Sequence, residues 1–150
     1  MRITEDFRDL LVLLEREGTR YLIIGGYAYS LHAEPRYTKD LDIWVKPTPD
    51  NVLLANRALA QFGSPESLNP EAPSEILQLG VEPNRIDLFL SIPGATFSEA
   101  WKSRVRAPYG DQEVNWMGLD CLIKAKAAAG RHRDMADVAT LRKIRNQKPE

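Results

Sequence analysis

Apolar residues recur along this chain with two different periods, and the alternation between them predicts most of its elements. Phe7, Leu10, Leu11 and Leu14 fall at i, i+3, i+4 and i+7, one stripe of an amphipathic helix from about Thr4 to Glu17, with Gly18 placed to end it. Tyr21-Leu22-Ile23-Ile24 is short, wholly apolar and closed by Gly25-Gly26, which predicts a buried strand, a glycine turn and a short helix from Tyr27 to about His32. Leu41, Ile43 and Val45 alternate with Asp40, Asp42 and Trp44. That is a second strand, with aliphatic side chains on one face and both carboxylates on the other. Pro47 and Pro49 end it, and a helix runs from Asp50 to about Gln61, with Pro49 tolerated at its first position.

Pro65, Pro70 and Pro73 fall between Gly63 and Ser74 and make that stretch a surface loop. Glu75 to Val81 and Arg85 to Leu90 predict an antiparallel pair joined around Pro83-Asn84, with Ile86, Leu88 and Leu90 facing the core and Arg85, Asp87 and Phe89 facing the opposite side. A helix near Phe97 to Ser103, a hairpin around Tyr109-Gly110-Asp111 and two closing helices, about Leu119 to Ala129 and Asp134 to Arg145, complete the chain. The expected class is α/β, a mixed sheet with the acids on one face of a cleft and helices covering the other.

Composition narrows the function classes. With 150 residues and 43% hydrophobic content, the chain suits one domain over residues 1–150, because neither side of the 63–74 loop holds a full core alone. A formal net charge of −1 argues against general nucleic-acid binding, which draws its affinity from phosphate neutralisation by Lys and Arg. Cys121 has no second cysteine to pair with, and the N-terminus is acidic at Glu5, Asp6 and Asp9 where a secretory leader would be basic. A cytoplasmic location is expected. No apolar run approaches the roughly 20 residues that span a bilayer, so no membrane partner is expected.

The chemistry concentrates at two places. Asp40 and Asp42 project from one strand face and repel each other unless one keeps its proton or a cation intervenes. Hard oxygen ligands suit Mg²⁺, which is held by a few carboxylates together with water and substrate phosphates. Asp87 is the natural third carboxylate if its strand lies beside that of Asp42. Upstream, Gly25-Gly26 allows close backbone approach to a ligand, and the helix that follows presents unpaired N–H groups to an anion.

The ordered set Gly25-Gly26-x-Ala28, Arg36-x-Thr38-x-Asp40-x-Asp42 and Asp87 resembles the nucleotidyltransferase fold of the DNA polymerase β superfamily. It looks closest to small bacterial abortive-infection toxin and minimal nucleotidyltransferase relatives. Leu122-Ile123-Lys124-Ala125-Lys126 with Arg131-His132-Arg133-Asp134-Met135-Ala136-Asp137 is similar to the C-terminal signature of those relatives. The resemblance implies that Asp40, Asp42 and Asp87 bind two Mg²⁺ ions, with Asp87 a candidate base, and that Gly25 and Gly26 contact a nucleoside triphosphate. NMP would pass to a hydroxyl of unidentified owner: a small molecule, a protein or a tRNA end. Many superfamily members follow the turn glycine with Ser, whose hydroxyl contacts phosphate, and Tyr27 stands there in this chain.

The remaining residues have local readings. Arg36 is read as a phosphate contact, or as a screen for the acids when metal is absent. Lys126 is read as a helix residue reaching over the acid cluster toward triphosphate, whereas Asp134 is read as an N-cap. From Leu119 onward cations outnumber acids, Lys148 and Glu150 included, and most are read as a solvated helix face. Tyr27 and Tyr29 could stack on a base, Trp44 could shield the site, and Cys121 reads as buried. His32 and His132 lack zinc-ligand spacing. The rival reading is a catalytically weak nucleotide-binding or toxin-antitoxin-type module acting through a protein partner. A metal-dependent nuclease explains the acids but leaves the glycine pair without a purpose.

Overall fold

The computed structural model describes residues 3–147, so Lys148 and Glu150 lie outside the described residues. Its elements follow the order α1 (Glu5–Arg16), β1 (Tyr21–Ile24), α2 (Gly25–His32), β2 (Asp40–Val45), α3 (Pro49–Phe62), β3 (Leu77–Leu79), β4 (Arg85–Phe89), α4 (Phe97–Lys102), β5 (Val105–Tyr109), β6 (Gln112–Trp116), α5 (Leu119–Ala129) and α6 (His132–Gln147). Six strands form one mixed sheet in the order β3-β4-β2-β1-β6-β5. β1 runs antiparallel to β2 and parallel to β6, and β2 runs parallel to β4.

Strand alternation decides what each face buries. Tyr21 and Ile23 of β1 join Leu41, Ile43 and Val45 of β2 in a core beneath α1 and α3. Leu22, Ile24 and Trp44 point the other way, into a second core closed by Phe97 and Ala100 of α4, Leu122 and Ile123 of α5, and Val138 and Leu141 of α6. Each fully buried aliphatic side chain contributes roughly 1.5–3 kcal/mol, so both layers are held firmly. Helices therefore cover both sheet faces. The expected open carboxylate face is only the end of the face nearest Asp40 and Asp42, because Trp44, two residues further along β2, packs edge-on against Phe97 at 5.2 Å.

Two local expectations change. α2 begins at Gly25, directly after Ile24 and ahead of the expected Tyr27, and the expected glycine turn is made at Gly25 itself, whose φ is +67°. α6 begins at His132, and Asp134 in its first turn accepts a hydrogen bond from the Arg131 backbone N–H. Asp134 is thus the residue that reaches back to the start of the helix, the reciprocal half of a capping box, and is not the N-cap. Among the described residues, no helix is long and apolar enough to cross a membrane.

Candidate active site

Parallel pairing of β2 with β4 sets Asp40 opposite Arg85, Asp42 opposite Asp87 and Trp44 opposite Phe89. All six side chains leave the same sheet face, since each is two residues from the next. One oxygen from each of Asp40, Asp42 and Asp87 lies within 4.8 Å of the others. Asp42 Oδ1 is buried and has no hydrogen-bond partner among the described residues. An unsatisfied buried carboxylate oxygen in a three-acid cluster is costly without a cation, and this donor set suits a hard divalent metal. Burial pushes the Asp42 carboxyl up to about 8, reinforced by Asp40 and Asp87 and opposed weakly by Arg85. Burial also raises Asp87, against the pull of the Arg85 guanidinium.

The glycine pair explains how α2 comes so close to these acids. Gly25 has φ +67°, a left-handed conformation that side chains disfavour, and a Cβ there would strike Asp42 Oδ2. At Gly26 a Cβ would meet the Thr38 methyl. Both glycines therefore have an intramolecular reason to be glycine. What the backbone approaches here is Asp42 and Thr38.

Across the acids lies a cleft of about 650 Å³, whose other walls carry Arg36, Lys39, Lys126, Arg131 and Arg133. The two cations named from the sequence are held by carboxylates of α6. Lys126 is buried and donates to Asp137 Oδ2 at 2.9 Å, with Asp134 Oδ1 at 3.7 Å. Arg36 meets Asp137 Oδ1 at 2.6 Å and lies over the Tyr29 ring, 3.6 Å from its centroid. Burial alone would raise the Asp134 and Asp137 carboxyls, but Arg131 on the first, Arg36 and Lys126 on the second, bring both below the ordinary range. Arg131, Arg133 and Lys39 are the exposed cations on the wall.

Solved structures with this arrangement of strands and helices share a single architecture. The lincosamide antibiotic adenylyltransferase LnuA, bound to lincomycin, superposes with a TM-score of 0.63 at 16% identity, over 96% of this chain and 99% of its own. A putative nucleotidyltransferase from Thermotoga maritima matches with a TM-score of 0.63 at 16% identity, over 95% of this chain and 91% of its own. The antibiotic-resistance factor ANT(2'')-Ia matches with a TM-score of 0.61 at 14% identity, over 94% and 81%. This chain has the nucleotidyltransferase fold. No family model matches it, and no curated protein matches it in sequence.

Within the nucleotidyltransferase fold, Asp40, Asp42, Asp87, Gly25, Gly26, Arg36 and Lys126 all line one cleft. The aromatic expectations do not hold. Tyr27 is buried against Phe7 and Tyr109 in edge-on contacts, and Tyr29 is buried beneath Arg36, so neither offers a face to a base. Trp44 is core packing. His32 Nε2 lies 2.7 Å from the Met117 carbonyl oxygen, and Cys121 is buried. Sequence reasoning missed Arg85, which donates from Nε to Asp87 Oδ1 at 3.0 Å and from Nη2 to Asp40 Oδ2 at 3.2 Å. The signal was present: Arg85 and Asp87 are two apart in a strand, hence on one face.

Proposed function

We propose that the chain transfers NMP from a nucleoside triphosphate to a hydroxyl acceptor in a reaction that depends on Mg²⁺. The observation that carries this is the pairing of three convergent carboxylates, one with an unsatisfied buried oxygen, with a cationic wall across the same cleft. Asp40, Asp42 and Asp87 would hold two metal ions, which when bound supply Lewis-acid neutralisation of charge at the α-phosphate. Arg131, Arg133 and Lys39 would neutralise the triphosphate, and the N–H groups at the start of α2 beside Gly25 and Gly26 would meet its oxygens. Arg36 and Lys126, tied to Asp137, would present a fixed positive field with little reorganisation. The acceptor oxygen bonds to the α-phosphorus as pyrophosphate leaves, and the hydroxyl proton passes to an Asp87 oxygen.

One of the similar structures is a lincosamide antibiotic adenylyltransferase bound to lincomycin, and the antibiotic-resistance factor ANT(2'')-Ia is also solved in complex with adenylyl-2''-tobramycin, so small polyhydroxylated molecules head the acceptor screen. Protein hydroxyls and tRNA ends follow. The test is incorporation from each α-labelled NTP into these acceptors, with and without Mg²⁺, by the wild type and Asp42→Asn. Mg²⁺-dependent labelling lost in the variant supports the reading; equal labelling by both proteins sinks it.

One observation favours the rival module: Tyr27 turns its ring into the core, so no side-chain hydroxyl follows the glycine pair into the cleft. NTP binding without incorporation would select that reading. Against it, Met135 is the one large apolar side chain exposed on the two closing helices among the described residues, a narrow base for a partner interface.

A further inference from the structure

Arg85 is the cation already seated among the three carboxylates. Its Nη2 lies 3.2 Å from Asp40 Oδ2 and 3.2 Å from Asp87 Oδ2, while its Nε lies 3.0 Å from Asp87 Oδ1. Both Asp87 oxygens and one Asp40 oxygen are thereby taken by one planar fork, the geometry in which a guanidinium binds carboxylates best. Asp42 is left out of it, and its Oδ1 has no hydrogen-bond partner among the described residues. The register of β2 on β4 makes this arrangement, because Arg85 stands opposite Asp40 and two residues before Asp87.

We propose that Arg85 is a resident counter-ion of this cluster, and that a divalent cation gains Asp40 and Asp87 by displacing its guanidinium, so that Arg85 sets the metal affinity of the site. The proposal rests on the metal-dependent reading above and deepens it. The guanidinium takes one acceptor site on each Asp87 oxygen and on Asp40 Oδ2 and sets its positive charge beside any metal held by these acids, so the two cations oppose each other. Displacement does not strand the charge. Nη1 of Arg85 is 3.5 Å from Glu82 Oε1, and Glu82 lines the same cleft beside Lys39, so the released guanidinium keeps a partner and turns toward the space where an anionic ligand would lie. An anion that draws Arg85 away tightens metal binding, and by reciprocity metal tightens anion binding.

Direct Mn²⁺ titration by calorimetry, with free Mn²⁺ counted by electron paramagnetic resonance, tests this on wild type, Arg85→Gln and Arg85→Lys. Arg85→Gln should bind Mn²⁺ about tenfold tighter or more, the equivalent of one lost charge-assisted hydrogen bond on the competitor. Arg85→Lys, which keeps the charge and loses the fork, should fall between. A nitrogen-edited NMR spectrum of the wild type supplies a reading that needs no variant: the Arg85 Nε–H resonance should be protected without metal and shift on adding Mg²⁺. Equal or weaker Mn²⁺ binding by folded Arg85→Gln, or an unmoved Arg85 resonance at saturating Mg²⁺, overturns the proposal while the metal-dependent function stands. Binding by none of the three proteins overturns both. Binding by Arg85→Gln alone supports the proposal in its strongest form.

Discussion

Two clusters of aspartates stand at the same cleft, one in its lining and one behind its cationic wall, and although burial pushes both upward they end on opposite sides of the ordinary carboxylate range. On the sheet, the single Arg85 guanidinium serves Asp40 and Asp87 and leaves Asp42 out, and Asp42 and Asp87 are pushed up. On α6, Asp134 and Asp137 are matched by Arg131, Lys126 and Arg36, and both are pulled down. Desolvation is the largest influence in all four. What differs is the count of cations within reach, so the balanced cluster braces the fold while the unbalanced one has spare oxygen donors.

The largest expected effect breaks the unbalanced cluster. Asp42→Asn should lower Mg²⁺-dependent transfer by about a thousandfold or more, in line with the several kcal/mol that metal ligation supplies to a charged transition state, measured as label incorporation at saturating NTP. The metal-free variant should melt no lower than wild type, because the substitution removes repulsion and leaves the apolar core untouched. A large fall in its melting temperature would place Asp42 among the structural residues instead.

The mirror experiment breaks the balanced cluster. Asp137→Ala frees Arg36 and leaves the buried Lys126 only Asp134 Oδ1, at 3.7 Å, and losing hydrogen bonds between charged groups at a buried site costs about 1.5–3 kcal/mol. Urea unfolding should show that loss, accompanied by weaker NTP binding as both cations lose their anchor. A variant as stable as wild type would show that the α6 carboxylates do not brace the fold.

The two clusters also predict opposite pH trends for the metal-free protein. Asp42 carries a folded value of about 8 against 3.8 in the unfolded chain. Between those limits the native state holds a proton that the unfolded state has released, so stability is greatest below about pH 4 at this position and falls as pH rises toward 8, by up to about 1.4 kcal/mol per unit. Asp134 and Asp137 are depressed; their contribution is present above the ordinary carboxylate value and disappears as pH falls below it. Urea midpoints across pH 5 to 9 should decline for wild type, stay flatter for Asp42→Asn, and flatten for wild type once Mg²⁺ is saturating. A wild-type profile that rises over this range would refute the assignment of Asp42 as the strained member.

The smallest expected effect sharpens the comparison at its edge. Gly25→Ala puts a Cβ into Asp42 Oδ2 from a backbone at φ +67°, which should cost about 1–3 kcal/mol of stability and weaken metal binding. Gly18→Ala, at φ +69° with open space around it, is the control: it should lose stability by a similar backbone penalty and leave metal binding unchanged. Equal metal affinity in both variants would remove Gly25 from the site.

Much of this was legible in the residues because strand and helix periods are local. The alternation of Leu41, Ile43 and Val45 with Asp40 and Asp42 placed both acids on one face, and the same rule put Arg85 beside Asp87 within β4. Helix starts were less legible: Gly25-Gly26 reads as a turn, and Gly25 does turn the chain at φ +67°, but α2 already begins there, where a Cβ on Gly25 would meet Asp42 and one on Gly26 would meet Thr38. The tyrosines and Trp44 were misleading for a related reason. An aromatic beside a motif looks available for stacking, but whether its face is free depends on what packs over it, here Phe7, Tyr109, Arg36 and Phe97.

By itself the order of residues determined the elements, the two-faced strands and the ordered acids, since these follow from side-chain spacing along a backbone of known pitch. Only the tertiary structure decided that β4 lies parallel to β2 with Asp87 opposite Asp42, that α6 brings Asp137 to Arg36 and Lys126, and that Arg85 occupies Asp40 and Asp87. Pairing between segments 45 or 101 residues apart is set by how two cores pack on a shared sheet, and no local period carries that information.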